Sequence, residues 1–361
     1  MHKSSIQGND PVWRQVISGA QILFVAFGAL VLVPLLTGLN PAMALLGAGV
    51  GTLLFQIVTR RQVPLFLGSS FAFIAPIIYS IQTWGLPATM GALACVSLVY
   101  FAFAALVNRH GAAIVHRFMP PVVIGPVVML IGLSLAVVAV NMAMGKAGDV
   151  QVVPYPTALL LAGISLGVTI LASVFARGLL RLTPILAGVV AGYIVAAILG
   201  YVDFDKIAAA PWLAVPELVA PSFNFAAVLF MLPVALAPAI EHVGGVVAIG
   251  GVTGKDYTQT PGLHRTLFGD GLGVLFAGLI GGPPVTTYAE VTGAVSLTRN
   301  FNPVTMTWAA VLAVVLAFFG KFNAILQSIP APVMGGIMML LFGTVASIGL
   351  KSLIVDRTDL N

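Results

Sequence analysis

Charge is what this sequence has least of: Asp, Glu, Lys and Arg make up 7% of its 361 residues, against 59% hydrophobic residues. So few charges cannot solvate the surface of a water-soluble globule, and with a mean hydropathy of +1.07 the chain reads as an all-α polytopic membrane protein. Cysteine is almost absent too. The lone Cys95 lies in an apolar run, which excludes an internal disulfide and a cysteine metal cluster and says nothing about compartment. A cleavable signal pattern is missing, because Trp13 and Arg14 lead into a segment too long for a signal core. The net charge of +5 does not imply nucleic acid, since the basic residues stand singly or in pairs between apolar runs and act as topology signals. An HExxH zinc motif and a nucleophile–base pattern are also lacking, which leaves an intramembrane hydrolase without support.

What is there is a succession of apolar runs. At roughly 20 residues per crossing the chain holds about twelve spans and no soluble domain. The runs fall at 16–37, 41–59, 64–82, 85–107, 118–144, 157–175, 183–202, 225–252, 267–281, 283–298, 302–320 and 327–350. With the N-terminus inside, thirteen basic residues lie in inside connections: Lys3, Arg14, Arg60, Arg61, Arg109, Arg117, Arg177, Arg181, Lys255, Arg265, Arg299, Lys351 and Arg357. Only Lys146, Lys206 and Lys321 fall outside. This bias predicts that both termini are cytoplasmic.

Two of the runs are poor uninterrupted helices. Gly68, Ser69, Ser70 and Pro76 break the third, and Gly281, Gly282, Pro283 and Pro284 open the tenth. The broken stretches match each other: Ser69-Ser70-Phe71-Ala72-Phe73 aligns with Thr286-Thr287-Tyr288-Ala289-Glu290. A second echo pairs Pro120-Pro121-Val122-Val123-Ile124-Gly125 with Pro330-Ala331-Pro332-Val333-Met334-Gly335. Seven spans separate the paired elements, so the second copy enters the membrane from the opposite face, the inverted-repeat plan of many secondary transporters. Breaks at matching places point to a midplane site, because half-helix N-termini present N–H groups and positive dipole ends to a ligand. The bland alternative is that Gly and Pro only permit close packing, as at Gly47, Gly49 and Gly51.

Two acids, Glu241 and Glu290, lie deep inside apolar segments, whereas most of the eleven, which include Asp270, fall in polar connections or at segment ends. A carboxylate in hydrocarbon costs several kcal/mol unless paired, hydrated or protonated, so both are candidate substrate contacts. As bland readings, Glu241 bonds to His242 near an interface, and Glu290 caps the half-helix starting near Ala289. Neither accounts for both acids. A carboxylate accepts N–H donors from a flat heterocycle and, when protonated, also donates, so one of the two can couple proton occupancy to binding.

These residues resemble the nucleobase-ascorbate transporter family, in particular its bacterial uracil:proton symporters. The resemblance rests on Gln21 with Phe27-Gly28-Ala29 and Val33-Pro34, on Leu67-Gly68-Ser69-Ser70-Phe71-Ala72-Phe73, and on Glu241-His242-Val243-Gly244. Pro261-Gly262-Leu263-His264-Arg265 and Thr287-Tyr288-Ala289-Glu290 complete it, with the signature stretch Glu290-Val291-Thr292-Gly293 ending in Thr298-Arg299. It implies a 7+7 inverted-repeat fold that rocks a core against a gate. Core repeats would occupy 1–117 and 225–320, and gate repeats 118–224 and 321–361. It further implies that Glu241 and Glu290 hydrogen-bond uracil or a related nucleobase, that backbone groups at Phe73 and Ala289 meet its carbonyl oxygens, and that Tyr288 supports them. Proton coupling through Glu290 or Glu241, no cofactor besides the coupling proton, a bacterial cytoplasmic membrane and a homodimer in lipid follow from the same resemblance.

Several positions depart from the family pattern. Ile22 follows Gln21 where a histidine is usual, Val291 replaces the usual Asn, and Gly245 stands where uracil carriers commonly have a histidine. At Gly245 a water is expected to fill the space, and His242 is not expected to substitute, since adjacent helical positions face different ways. The family fold has fourteen spans; a chain ending after the twelfth is expected to be a truncated carrier. A purine, xanthine or urate carrier of the same family is the nearest alternative, and an anion carrier of the related sulfate-transporter fold is disfavoured by the acid pair.

Overall fold

Each of the twelve predicted segments contains a helix in the computed structural model, which describes residues 11–111, 121–147, 150–177, 180 and 183–355. Pro120 of the second echo, the basic residues Lys3, Arg117, Arg181 and Arg357, and the end at 356–361 lie outside the described residues.

The first half opens with α1 (Val12–Thr37) and α2 (Pro41–Val58), separated at Gly38, whose φ of 74° few side chains tolerate. Asn40 caps α2 by accepting from the Ala42 N–H at 2.9 Å, while Pro41 supplies a preset first turn. The broken third segment is a strand β1 (Leu67–Ser69), a 3₁₀ turn (Phe71–Phe73) and a half-helix α3 (Ile74–Trp84). Then come α4 (Leu86–His110), α5 (Pro121–Ala143), a small hairpin of β2 (Lys146–Ala147) and β3 (Val150–Gln151), α6 (Tyr155–Phe175), α7 (Pro184–Ile198) and the short connecting helix α8 (Phe204–Ala209).

The second half begins with α9 (Phe225–Met231), capped by Asn224, and continues through a 3₁₀ turn (Leu232–Ala235) into α10 (Leu236–Thr253). Together they make the single span expected from the sequence, Phe225–Thr253, within which Pro233, having no N–H to give, tightens one turn to 3₁₀. After α11 (Leu263–Ile280) the tenth segment repeats the strand-then-half-helix plan, as β4 (Val285–Thr287) and α12 (Ala289–Thr298). The described chain closes with α13 (Val304–Ala317), α14 (Gly320–Gln327) and α15 (Ala331–Val355).

Among the described residues six helical segments are long and apolar enough to cross a membrane alone, and shorter apolar helices cover 71–84, 184–198 and 304–317. One large apolar cluster ties α1, α2 and α4 to α9, α10, α11 and α13 through residues such as Leu30, Phe55, Met231, Val274 and Met306. A second joins α5, α7 and α15 through Leu135, Val189, Met334 and Phe342, and touches the first group at Leu32, Val33 and Ile74. The repeat partners α5 and α15 cross closely at Gly132, where an added Cβ would sit 2.6 Å from the Ala346 nitrogen. Small residues let membrane helices approach in this way. Leu130, Leu133 and Val137 on α5, with Leu171, Val174 and Phe175 on α6, are exposed. That apolar exterior suits lipid, and the chain is a multi-pass membrane protein.

Candidate functional site

The two broken segments meet each other. β1 and β4 form an antiparallel ribbon with Leu67 opposite Thr287, Gly68 opposite Thr286 and Ser69 opposite Val285. In the sequence echo Ser69 corresponds to Thr286 and Gly68 to Val285, so exchanging the two halves maps this ladder onto itself. The symmetry extends outward: the Ser70 N–H donates to the Pro284 carbonyl oxygen at 2.8 Å, the counterpart of the Leu67–Thr287 pairing. Phe71 and Tyr288, also counterparts, stack with ring centroids 6.4 Å apart and planes inclined by 15°. A pseudo-twofold axis therefore runs through the ribbon, as an inverted repeat requires.

Side chains of the surrounding helices hold the ribbon. Thr52 of α2 accepts from the Leu67 N–H at 2.9 Å, Ser69 donates to the Leu30 carbonyl oxygen of α1 at 3.2 Å, and Thr286 donates to the Pro238 carbonyl oxygen of α10 at 3.4 Å. Gly68 is required where it stands, because a Cβ there would lie 2.5 Å from the Tyr288 ring. The hydroxyls of Ser70 and Thr287, again counterparts, are buried without a protein partner.

From the ribbon the chain runs into α3 on one side and α12 on the other. Tyr288, which precedes α12, provides no side-chain cap, so the leading N–H groups and positive dipole end of that half-helix remain available, whereas at α3 the 3₁₀ turn already engages the first donors, the Phe73 N–H with the Ser70 carbonyl oxygen at 3.4 Å and the Ile74 N–H with that of Phe71. Ala289 is the first residue of α12, and Glu290 stands in its first turn. Glu241 projects from α10 and is solvent-accessible although protein atoms surround it, so it faces a crevice; Glu290 is half-buried and within its electrostatic range. The structure thus brings together Glu241, Glu290, Tyr288 and the start of α12. Phe73 sits at the matching start of α3 with its ring fully buried in the large apolar cluster and its N–H donating to the Ser70 carbonyl oxygen at 3.4 Å.

Two expectations need correction. Asp270, not counted among the deeply placed acids, is fully buried on α11, and so is His242 on α10; His242 Nδ1 approaches Asp270 Oδ2 at 3.1 Å. His242 is therefore taken up by Asp270 rather than by Glu241. The approach lacks the alignment of a hydrogen bond, and His242 Nε2 and Asp270 Oδ1 have no protein partner. Asp270 escaped notice because it lies three residues inside the predicted ninth segment, which in fact begins four residues earlier, at Leu263. The second correction concerns Gly245. An added Cβ would fall 2.7 Å from Thr287 Oγ1, so the place next to Gly245 is filled by a threonine side chain of the ribbon, not left for water.

Between α1 and the C-terminal half of α12 lies a cavity of about 190 Å³, lined by Ser18, Gln21, Ile22, Val25, Ala294, Thr298 and Asn300. Gln21, part of the motif set, opens onto it.

A ribbon flanked by two opposed half-helices, inside two helical repeats of opposite orientation, defines an inverted-repeat membrane transporter. The chain resembles the transmembrane domain of a cyanobacterial bicarbonate transporter, BicA, with a TM-score of 0.72 and 16% identity over 97% of each chain. It likewise resembles the murine anion transporter Slc26a9 in its inward-facing state, at a TM-score of 0.71 and 13% identity over 98% of this chain and 63% of that one. At such identities the likeness is one of fold. Sequence gives the family: residues 14–361 match the profile described as the Permease family, and the chain belongs to it. It is 56% identical to a probable uracil permease of Haemophilus influenzae over 355 residues, covering 98% of this chain and 85% of that protein. Identity to the uracil permease of Bacillus caldolyticus is 43% over 98% of this chain and 83% of the relative, and to that of Escherichia coli 38% over 99% and 82%. The protein is accordingly a transporter of the nucleobase permease family and not an enzyme.

Proposed function

We propose that this protein carries uracil inward across a bacterial cytoplasmic membrane by proton symport with alternating access. The observation that carries the reading is the placement of Glu241 and Glu290 within electrostatic range of each other beside the symmetric ribbon, one of them in the first turn of an uncapped half-helix. Two carboxylates accept the ring N–H groups of uracil, while N–H groups at the start of α12 and at the head of the 3₁₀ turn before α3 donate to its carbonyl oxygens. The half-helices start at opposite ends of a three-residue ribbon, roughly 10 Å apart at the usual rise per strand residue, a spacing on the scale of one flat heterocycle. An anion would be repelled by the acid pair, which separates this site from those of the anion transporters that share the fold.

Charge balance supplies the reason for a proton. Two carboxylates in a site closed off from water repel each other and lose hydration, so occupancy by a neutral base goes with uptake of one proton by the protein near them. Helices of 1–117 and 225–320 form the core that presents the ribbon, and those of 118–224 and 321–361 the gate against which it rocks. The thirteen-to-three distribution of basic residues supports an orientation with both termini in the cytoplasm.

Uptake of radiolabelled uracil by cells lacking their own carrier and expressing this chain tests the reading. Uptake abolished by a protonophore is expected, and competed by uracil more strongly than by xanthine or urate. Uptake unaffected by the protonophore would rule out proton symport, and stronger competition by xanthine or urate would move the substrate to that class.

A further inference from the structure

The base site leaves one buried ionisable pair unused. His242 and Asp270 are both fully inaccessible, they join α10 to α11 at 3.1 Å, and they are the partners in the only ion pair inside the helical bundle among the described residues. The Phe55 ring stands edge-on to the imidazole, with centroids 6.0 Å apart, which keeps one side of the pair dry. Burying such a pair is costly, and apolar side chains of similar volume usually serve packing at least as well, so its presence calls for a role beyond packing.

The pair is also connected to the base site. His242 directly follows Glu241 on α10, and Asp270 lies within electrostatic range of Glu241. Tyr100 of α4 is buried, with its hydroxyl beside the Thr286 side chain, and is within range of both acids. The titratable groups that face the pair are thus Glu241 and Tyr100, with Glu290 and Tyr288 one step further out beyond Glu241.

We propose that the His242–Asp270 pair is a second proton site, holding the transported proton while Glu241 and Glu290 are engaged by the base. The proposal rests on the proton-symport reading and deepens it. With aspartate ionised and histidine neutral, the pair carries one negative charge; accepting one proton makes it neutral, whichever of the two residues bears it. When uracil arrives, Glu241 must be ionised to accept a ring N–H. Binding of the base therefore draws one proton from solvent, through Glu241 and the Tyr100 hydroxyl, onto the anionic pair, so that Glu241 is left ionised and the negative charge of the site falls by one. On release the proton returns to Glu241 and leaves through the crevice that this carboxyl faces. The coupling acts through charge: a neutral pair removes a negative neighbour from Glu241 at the moment its carboxylate is needed.

Titration of uracil into the purified chain over about pH 5 to 8 tests this without requiring turnover, since one proton taken up per base bound makes affinity fall about tenfold per unit of rising pH. That slope is expected for the wild type. Asp270→Asn and His242→Gln are expected to bind uracil with less than about a twofold change per pH unit, while retaining uracil–uracil exchange in proteoliposomes. A wild-type slope in Asp270→Asn overturns the proposal. If neither single variant binds, the paired replacement of His242→Leu with Asp270→Leu decides, because it removes the pair without leaving one charge unmatched. Binding with a flat profile in that protein supports the proton site. Loss of binding in all three variants, with wild-type helical content, assigns the pair to holding α10 against α11 and overturns it. A flat profile in the wild type itself removes proton symport, and this proposal with it, before any variant is made.

Discussion

Tyr288 and Ser69 belong to opposite halves of the chain, and the Tyr288 hydroxyl donates to the Ser69 carbonyl oxygen at 2.9 Å. One hydrogen bond thus fixes the residue before α12 to the strand before α3. Tyr288→Phe keeps the ring stacked on Phe71 and removes only the donor. The loss leaves a buried carbonyl less well satisfied, so destabilisation of about 1–3 kcal/mol is expected, with weaker uracil binding. Thermal unfolding in detergent, with and without uracil, reads both; an unchanged midpoint and affinity would remove this bond from the account.

At Gly245 the ribbon packs directly on α10. Gly245→Ala would set a Cβ 2.7 Å from Thr287 Oγ1, and overpacking of this kind costs about 1–3 kcal/mol. Thr287→Ala removes the obstacle. In a double-mutant cycle the pair should therefore recover most of what Gly245→Ala loses, a coupling visible in unfolding midpoints. Additive losses would mean that the two positions do not meet.

Gly132 tests the crossing of α5 and α15. A Cβ there meets backbone, the Ala346 nitrogen at 2.6 Å and the Phe342 oxygen at 2.8 Å, so the helices must move apart. Gly132→Ala is expected to destabilise by about 1–3 kcal/mol and to slow transport more than it weakens uracil binding, since the site lies elsewhere. Equal losses of transport and binding would contradict that separation.

Outside the membrane, Asp203 caps α8. The Lys206 N–H, donating at 3.1 Å, holds its carboxyl below the usual carboxylate range, and the Lys206 ammonium at 3.1 Å adds to the effect. A carboxyl lowered on folding contributes order above its unfolded value and loses it as pH falls through its own lowered value. Protection of the amides of 204–209 against hydrogen exchange, corrected for intrinsic rates, should therefore hold at neutral pH and fall in acid. Asp203→Asn should show no such acid loss, because an amide caps without titrating.

Much of this was legible in the sequence because membrane crossing imposes local rules. Each span must satisfy its own backbone, so apolar runs and their Gly and Pro breaks show directly, and the two breaks could be matched residue by residue at Ser69 and Thr286. Glu241 and Glu290 stood out because charge inside such runs is rare. What stayed hidden depends on which helices pack together. Asp270 sits among glycines close to the start of its segment, and only the packing of α11 on α2, α4 and α10 buries it beside His242. The same applies to Gly245: its missing side chain suggested space, and the opposing ribbon supplies Thr287. The antiparallel pairing of β1 with β4 joins residues more than two hundred positions apart, and three-residue strands carry no periodicity to announce them.

The measurement that bears most directly on the site is uracil affinity of the purified chain against that of Glu290→Gln, with circular dichroism on both. The amide keeps the shape and removes the charged acceptor at the start of α12. A loss of at least about tenfold in affinity, equivalent to about 1.4 kcal/mol, with unchanged helical content is the predicted result. Equal affinity in the two proteins would contradict the placement of the base between the half-helices.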